Sequence, residues 1–286
     1  MKRLALPQVT LCIVDTRAPA LAAASLRHSM AGIDFERVLL FTRGWVPPQP
    51  SALTTGIEVV EIAEITSGAD YSRFVLRELP AHIHTPFVLV TQWDGFVRRP
   101  EAWTNEFLQY DYIGAVWPDQ PVGRNVGNGG FSLRSQKLLR AGLDPRITEL
   151  HPEDLVLGTT HRAMLEAEHG VRFSPPELAH RFAFENRPPR GPAFGFHGPY
   201  NLPRVLDEPT LLAWLPQLPD AFFRSRDARR LARALLAQRM PAAATELLRR
   251  RRNAGRTDIN TRCLGWLAAA QARLTPPQRP RSDPTP

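Results

Sequence analysis

Short apolar runs alternate with helical patterns over the first hundred residues, and this alternation constrains the fold more than any other feature of the chain. Strands are predicted at 9–14, 37–41, 57–62 and 87–91, with helices at 18–30 and 71–79. Alternation of strand and helix is typical of a mostly parallel sheet that helices cover on both faces. We therefore predict an α/β protein with a mostly parallel central sheet flanked by helices.

Polar residues follow three of the predicted strands. Asp15 follows the first strand, Thr42 and Arg43 follow the second, and Asp94 follows the fourth. Ligands of open α/β sheets bind beyond the carboxyl ends of the strands. We expect a ligand site at this edge of the sheet.

The amino-acid composition changes twice along the rest of the chain. Residues 93–201 are rich in Gly, Pro and aromatic residues; 103–110 and 152–169 have helical patterns, and 188–203 is too rich in proline for regular structure. Amphipathic helices are predicted at 228–238, 241–251 and 260–273, and they resemble a hairpin of the tetratricopeptide kind. We predict a domain over 1–219, a basic helical hairpin over 220–274 and a disordered tail over 275–286.

The net charge of +8 belongs to the C-terminal part of the chain. Residues 220–286 contain 15 arginines and five acidic residues, whereas residues 1–219 contain 21 basic and 23 acidic residues. Without a recognition motif, this charge does not predict nucleic-acid binding. The run Arg249–Arg252 fits an anionic membrane surface or a phosphorylated lipid acceptor, or else a solvated helix face or a site for a protein partner.

The apolar runs and the cysteines indicate the cellular compartment of the protein. No apolar run approaches the roughly 20 residues that span a bilayer, and we interpret residues 1–15 as a first buried strand rather than a signal peptide. Cys12 and Cys263 lie far apart, which favours a structural thiol at Cys12 over a disulfide or a metal ligand. We expect a cytoplasmic protein, peripheral to the inner membrane if the basic helices bind lipid.

The segment Asn125–Asp154 combines a glycine-rich turn with an acidic pair. Gly127, Asn128, Gly129 and Gly130 precede an apolar Phe-Ser-Leu step, and Glu153 and Asp154 follow an intervening helix. Glycines let a backbone approach a ligand closely, and a carboxylate can act as a base. The structural alternatives are a hairpin turn at Asn-Gly and a first helical turn whose acids complement the helix dipole.

Asp94 and His197 are candidate metal ligands. Asp94 follows a buried strand beside Gly95, where a carboxylate could hold Mg²⁺ or Mn²⁺ with a ligand's phosphates, or could simply form a turn. His197 lies between glycines in a proline-rich segment, which suits a binding loop or a histidine bonded to backbone. Among the aromatic residues, we retain Trp93 as a candidate because it adjoins Asp94.

The order of these motifs resembles the GT-A glycosyltransferases, most closely the β-1,4-galactosyltransferase type. The motifs are VLVTQWDGF, VGNGGFSLRS, HPEDL and FGFHG, within roughly residues 8–201. The chain also resembles an uncharacterised bacterial family found beside glycan-assembly genes. The resemblance implies a GT-A, Rossmann-like domain over 1–219 and a nucleotide-sugar-dependent hexosyltransferase.

The resemblance also implies roles for individual residues. Asp94 and His197 would bind Mn²⁺ or Mg²⁺, Asp154 would be the base, and Glu153 would bind the acceptor. The donor-binding residues would be Asp15, Thr16, Arg17, Arg43, Gln92, Trp93, Asn128, Gly129 and Gly130. Because Gln92 stands where the family has an aspartate, metal-independent transfer stays open.

The expected activity is inverting transfer of a sugar from a UDP-linked donor to a hydroxyl of a glycan or lipid-linked acceptor, in bacterial surface glycan synthesis. Two alternatives remain. One is a nucleotide- or sugar-binding module without catalysis, which Gln92 favours. The other is a metal-dependent hydrolase that uses the same carboxylates and histidine.

Overall fold

A computed structural model describes residues 3–47, 54–121 and 123–274. The chain divides into two compact units between Gly198 and Pro199, earlier than the boundary expected at 219. The predicted tail over 275–286 lies outside the described residues. Within the described ranges, no helix is long and apolar enough to cross a membrane.

The first unit contains ten strands within the described residues. They are β1 (Leu4–Val14), β2 (Ile33–Thr42), β3 (Glu58–Glu61), β4 (Phe87–Thr91), β5 (Tyr112–Ile113), β6 (Ala115–Val116), β7 (Val126–Gly127), β8 (Phe131–Ser135), β9 (Ala183–Phe184) and β10 (Gly195–Phe196). The four strands predicted from apolar runs are all present, and β4 has the predicted bounds.

The central sheet has six strands in the order β3-β2-β1-β4-β8-β5. Strands β3, β2, β1 and β4 run parallel, while β8 is antiparallel to both β4 and β5. Two small two-stranded sheets, β6-β7 and β9-β10, stand beside it. The predicted α/β class with a mostly parallel central sheet is confirmed.

Strand β1 shows why the sheet lies at the centre of the unit. Successive side chains of a strand point to opposite faces. Leu11 and Ile13 therefore enter one buried apolar cluster, whereas Cys12 and Val14 enter another on the opposite face. Burial raises the pKa of the Cys12 thiol to about 12, which is consistent with the structural role expected for it.

The helices of the first unit are α1 (Pro19–Met30), α2 (Gly68–Arg73), α3 (Gln136–Ala141), α4 (Glu153–Leu155), α5 (Arg162–His169) and α6 (Pro176–Phe182). Two of the long predicted helices are composite. The one expected at 71–79 continues from α2 as a π-helix over Phe74–Glu78 and a 3₁₀ turn over Leu79–His82. The one expected at 152–169 contains a π-helix over Val156–Thr160 between α4 and α5.

Two other expectations about regular structure were wrong. The helix predicted at 103–110 is only a 3₁₀ segment over Asn105–Gln109. The proline-rich segment 188–203, predicted to be irregular, contains β10 and the start of a 3₁₀ helix over Pro199–Arg204. Proline is compatible with both, since it fits short strands at sheet edges and the first turn of a helix.

The second unit is helical. It comprises α7 (Glu208–Trp214), α8 (Asp220–Arg224), α9 (Arg226–Ala237), α10 (Pro241–Asn253) and α11 (Ile259–Leu274). The three predicted amphipathic helices correspond to α9, α10 and α11 and differ from them by one or two residues at most of their ends. The 3₁₀ helix Pro199–Arg204 packs against α9, and Arg230 of α9 stacks on the ring of Tyr200, which explains why the unit begins before residue 220.

Most of the arginine run in α10 makes contacts inside this unit. Arg249 and Arg250 both pair with Glu246, at 2.7 and 2.6 Å. Arg251 is buried and donates hydrogen bonds to the backbone carbonyls of Phe223 and Ser225. The run therefore offers less free charge to a membrane than its sequence suggests.

Candidate functional site

A cavity of about 340 Å³ opens at the carboxyl ends of β1 and β4. It is lined by Val14, Asp15, Thr16, Arg17, Ile65, Ser67, Gly68, Tyr71, Ser72, Gln92, Trp93, Trp117, Asn128, Gly129, Gly130, His151, Glu153, Asp154, Glu185 and His197. Its size is within the range of small-molecule sites. Eleven of the thirteen candidate residues therefore line one cavity, while Arg43 and Asp94 are outside the lining.

The loop after β1 forms one wall of the cavity. Asp15 Oδ1 accepts hydrogen bonds from the backbone N–H groups of Arg17 and Ala18, both at 2.8 Å, and this turn leads into α1. The Thr16 hydroxyl accepts a bond from the backbone N–H of Ile65 at 3.0 Å. These bonds fix the loop and hold Arg17 at the cavity.

Asn128 organises the glycine segment between β7 and β8. Its backbone has φ of 111°, a conformation that non-glycine residues rarely adopt. Its Oδ1 accepts hydrogen bonds from the backbone N–H groups of Gly130 and Phe131, at 2.7 and 3.0 Å. Its Nδ2 lies 3.2 Å from His197 Nδ1. Strain of this kind clusters at functional sites, where the surrounding structure maintains it.

Two glycines are required here because side chains of the cavity lie directly on the backbone. A Cβ at Gly129 would stand 2.2 Å from Glu153 Oε1, and a Cβ at Gly130 would stand 2.1 Å from His197 Nε2. The N–H of Gly129 donates to Asp154 Oδ2 at 3.1 Å. The glycines thus make room for the protein's own acidic and imidazole groups. The sequence indicated a backbone that approaches a ligand closely, but the N–H groups of Gly129 and Gly130 donate to Asp154 and Asn128 instead.

Glu153 is held by a buried ion pair. Its Oε1 accepts a hydrogen bond from Arg134 Nη2 at 2.8 Å, and the two side chains are 6% and 0% exposed. Arg134 belongs to β8, and Ser132 of the same strand accepts a bond from its Nε at 3.0 Å. A buried ion is tolerated only when it is paired and hydrogen-bonded. Arg134 therefore fixes Glu153 at the cavity wall.

Asp154 differs from its neighbour. Its Oδ1 accepts a bond from the backbone N–H of Leu155 at 2.9 Å, and its Oδ2 accepts from Gly129. Burial, and then the negative charge of Glu153, raise the pKa of Asp154 above its usual value. A carboxylate with a raised pKa at a cavity is suited to general-base chemistry.

His197 lies among acidic and amide groups. Its Nδ1 is 3.0 Å from Glu185 Oε1, and its Nε2 is 3.1 Å from Gln92 Oε1 and 3.5 Å from Asp94 Oδ1. Burial alone would lower the pKa of His197, but the carboxylates of Asp94 and Glu185 outweigh it and raise the pKa well above its usual value. The raised pKa favours the protonated, cationic form of the imidazole.

The predicted metal ligands lie next to each other. Asp94 Oδ1 is buried, and among the described residues its nearest cationic partner is His197 Nε2 at 3.5 Å, too long for a strong hydrogen bond, so a metal cation would satisfy this oxygen better. No cluster of three His, Cys, Asp or Glu side chains suited to a metal occurs in the described part of the chain. The pair fits a Mn²⁺ or Mg²⁺ ion that takes its other ligands from Gln92, water and a bound phosphate, as Mg²⁺ commonly does. Such an ion would displace the proton from Nε2.

Sequence reasoning missed several residues of this site. Tyr71, Trp117 and Glu185 line the cavity, and Arg134 binds Glu153, yet none of the four was among the candidates. A signal for Arg134 was present, since a charge within an apolar strand demands a buried partner. The signal for Trp117 is weaker, because its contact with Gly127 depends on how β6 pairs with β7.

Known proteins provide three comparisons, two by sequence and one by structure. A family model described as a protein of unknown function (DUF5672) matches residues 55–197. Among curated proteins, none matches the sequence significantly.

Similar solved structures are glycosyltransferases at low identity. The mannosyltransferase PcManGT from Pyrobaculum calidifontis, in complex with GDP-Man and Mn²⁺, is 15% identical with a TM-score of 0.39, over 94% of this chain and 82% of that one. The galactosyltransferase LgtC, in complex with donor and acceptor sugar analogs, is 14% identical with a TM-score of 0.41, over 66% and 86%. S. aureus TarS 1–349 is 13% identical with a TM-score of 0.40, over 96% and 94%. Likenesses at this level leave the function open.

The family match covers half of the chain. It includes Gln92, Asn128, Asp154 and His197, so most of the cavity wall lies within it, whereas the loop after β1 lies outside. The chain belongs to the DUF5672 family.

Proposed function

We propose that this chain is an inverting glycosyltransferase that moves a hexosyl group from a UDP-linked sugar to a hydroxyl of a glycan or lipid-linked acceptor, in the synthesis of a bacterial surface glycan. One observation carries the proposal. Segments far apart in sequence meet at a single cavity, where a carboxylate of raised pKa, Asp154, faces the same space as Arg17 and His197. The motif order that resembles GT-A glycosyltransferases is the order of these segments.

Asp154 is the proposed base. In the reaction, the acceptor oxygen forms a bond to the anomeric carbon while the bond from that carbon to the diphosphate oxygen breaks. The acceptor's proton passes to the Asp154 carboxylate, and the nucleoside diphosphate leaves with the electron pair. Glu153, held by Arg134, is proposed to bind another acceptor hydroxyl.

Positive charge is needed where the diphosphate leaves. Arg17 lines the cavity and is the proposed source of this charge, together with protonated His197 when no metal is bound, and Asp15 and Thr16 place the loop for the nucleotide. Asp94 and His197, with Gln92, would hold Mn²⁺ or Mg²⁺, which when bound neutralises charge on the diphosphate. Trp93 and Asn128 are proposed to contact the donor. Arg43 lies outside the cavity lining and is therefore not proposed to bind the donor.

Substitution of the base tests the proposal. With a competent donor and acceptor, we expect Asp154→Asn to reduce kcat by about 10²–10⁴-fold, the usual contribution of a general base. Asp34→Asn is the matched control, because Asp34 forms an exposed ion pair with Arg3 away from the cavity and should keep wild-type activity. Wild-type transfer by Asp154→Asn would show that the base is another group.

The two alternative functions predict different products. Donors can be found by a thermal-shift screen of nucleoside diphosphates and nucleotide sugars, with and without Mn²⁺. A non-catalytic binding module would be stabilised by these ligands but would neither transfer nor slowly hydrolyse the donor. A hydrolase would release free sugar at the same rate whether or not an acceptor is present.

Metal dependence is tested by calorimetry of nucleoside diphosphate binding. If Asp94 and His197 hold the cation, chelation should abolish or strongly weaken binding, and Asp94→Asn should do the same in the presence of Mn²⁺. Binding that is unchanged by chelation would leave His197 and Arg17 as the positive groups and would assign metal-independent transfer.

A further inference from the structure

The outward face of α11 is apolar. Four large apolar side chains of this helix are exposed: Ile259 by 74%, Trp266 by 74%, Leu267 by 58% and Leu274 by 84%. Only three other large apolar side chains are exposed within the described ranges. The concentration of such residues on one 16-residue helix marks a candidate interaction surface.

Helix geometry places these residues on one side. At about 100° per residue, Ile259, Trp266, Leu267 and Leu274 fall within one stripe, with Cys263 and Ala270 between them. The opposite side of α11 is buried and contributes Thr261, Leu264 and Ala268 to the interior of the unit. We call the exposed stripe the α11 face.

Arginines flank the α11 face. Arg262 and Arg273 lie on one border of the stripe, and Arg252 of α10 approaches it across a groove of about 590 Å³ that Trp266 also lines. Within the described residues, none of these three forms an ion pair, in contrast to Arg249 and Arg250. Arg262 Nε donates to the backbone carbonyl of Thr257 at 3.0 Å, which leaves its charge without a carboxylate partner among the described residues. An apolar stripe bordered by such guanidinium groups matches the interface of an anionic bilayer, where aromatic and aliphatic groups sit below the phosphates.

The charge of the second unit distinguishes between two possible partners of the α11 face, a second copy of the chain and a lipid surface. Residues 199–274 contain 14 arginines and six acidic residues, and no acidic side chain lies within α11. Two copies that met through this face would bring like charges together, which disfavours self-association. An anionic lipid surface attracts the same charges.

We propose that the α11 face docks this protein on an anionic lipid bilayer. Trp266, Leu267, Ile259 and Leu274 enter the interface, while Arg252, Arg262 and Arg273 contact lipid phosphates. The inference is independent of the reaction at the cavity, since no residue of the α11 face lines it.

Cys263 offers a direct probe of the α11 face. It is exposed at the middle of the stripe, whereas Cys12 is buried with a raised thiol pKa and should not react. An environment-sensitive dye on Cys263 of the full chain should shift to the blue when phosphatidylglycerol-containing vesicles are added. Vesicles of pure phosphatidylcholine should give little or no shift.

Paired variants separate the apolar and charged contributions. In vesicle sedimentation, Trp266→Ser with Leu267→Ser should weaken binding at least tenfold, whereas Leu143→Ser, an exposed leucine of the first unit, should not. Arg262→Gln should weaken binding about fivefold, the effect of one cation near an anionic surface. Arg249→Gln, which removes the same charge from an arginine paired with Glu246, should weaken it less.

Four results would overturn the proposal. They are equal binding to neutral and anionic vesicles, absence of vesicle binding, a dye that is already shielded in the protein alone, and a dimer that Trp266→Ser dissociates. Because the substituted residues are exposed, an unchanged thermal transition should accompany every variant, so loss of binding can be distinguished from unfolding.

Discussion

At the scale of single residues, the site depends on how buried charges are paired. Arg134 stands inside a strand whose five residues are all buried, and its guanidinium lies 5.5 Å from the ring centroid of Tyr112. Its hydrogen bond with Glu153 joins the interior of the sheet to the cavity wall. The cation is therefore structural, and it acts on the site through Glu153.

Removal of Arg134 should destabilise the protein strongly. We expect Arg134→Met to reduce the free energy of unfolding by about 3–5 kcal/mol, because Glu153 would remain as an unpaired buried charge. Adding Glu153→Gln should recover much of this loss in urea unfolding. Arg181→Met, which breaks an exposed pair with Glu106, is the control and should change the stability by at most about 1 kcal/mol. A double variant no more stable than Arg134→Met would contradict this interpretation.

The raised pKa of Asp154 should appear in the pH dependence of activity. A base must be ionised, so kcat/KM should fall as pH drops through the pKa of Asp154, and the acid limb should lie above the value of about 3.9 for a free aspartate. Burial is the larger cause of the raised pKa and the Glu153 charge is the next. Glu153→Gln should therefore move the acid limb to lower pH, provided that circular dichroism shows the variant to be folded. A limb that stays in place would remove Asp154 from the role of base.

Close packing at Gly130 should make even a methyl group harmful. Gly130→Ala would place its Cβ 2.1 Å from His197 Nε2, so His197 or the backbone must shift. We expect loss of donor binding by at least tenfold in calorimetry, because positions at a ligand site tolerate little displacement. Gly191→Ala, where no atom lies within 4 Å of the added Cβ, should bind normally.

At the scale of elements, strand ends and helix starts position the site. The carboxyl ends of β1 and β4 supply two walls, and the reversed strand β8 carries Arg134 and follows directly from the Asn128–Gly130 turn. The π-helix that follows α4 lies next to the acidic pair. Helices of this kind are frequent at functional sites, which agrees with the position of Asp154.

Helix α9 depends on a side-chain cap that can be tested alone. Ser225 Oγ accepts a hydrogen bond from the backbone N–H of Ala228 at 3.1 Å. Ser225→Ala should reduce the stability of the second unit by about 1 kcal/mol, the usual contribution of an N-cap. Urea unfolding measures this, with Thr257→Ala at an exposed loop position as the control. Equal stabilities would show that packing, not the cap, fixes the start of α9.

At the scale of the whole molecule, charge is divided between the two units. Residues 1–198 contain 20 basic and 21 acidic residues, so all of the net positive charge lies beyond residue 198. The unit that contains the cavity is close to neutral, and the helical unit is strongly basic. Donor binding and lipid docking should therefore respond differently to salt.

Ionic strength should separate these two activities in one protein. Raising NaCl from 0.05 to 0.5 M should weaken binding to anionic vesicles by tenfold or more, because exposed charges are screened over a few ångströms at high salt. Binding of the nucleotide sugar in the partly enclosed cavity should weaken less. Vesicle sedimentation and calorimetry across the same salt series measure both. Equal salt dependence would argue against a separate lipid-docking surface.

The amino-acid sequence by itself determined the α/β class, the four parallel strands and the three helices α9–α11. These follow from local periodicity, since a period of two or of about 3.6 residues decides which faces can be buried. The sequence also identified more than half of the cavity residues, by more than one kind of argument. Asp15 was expected because the ends of parallel strands lie at one edge. Asp154 and His197 were candidates because of the acidic pair and the loop between glycines, and Gln92 because of the order of the motifs.

Only the tertiary structure decided the rest. Three features depend on which strands become neighbours. They are the antiparallel direction of β8, the ion pair of Arg134 with Glu153 and the position of Arg43 outside the cavity lining. The arginine run of α10 looked like a free basic patch, yet Arg251 is buried and two others share Glu246. The local sequence pattern determines which face of a helix or strand is buried. Long-range packing determines which residues contact that face, and therefore which charged side chains remain available to bind a ligand or a surface.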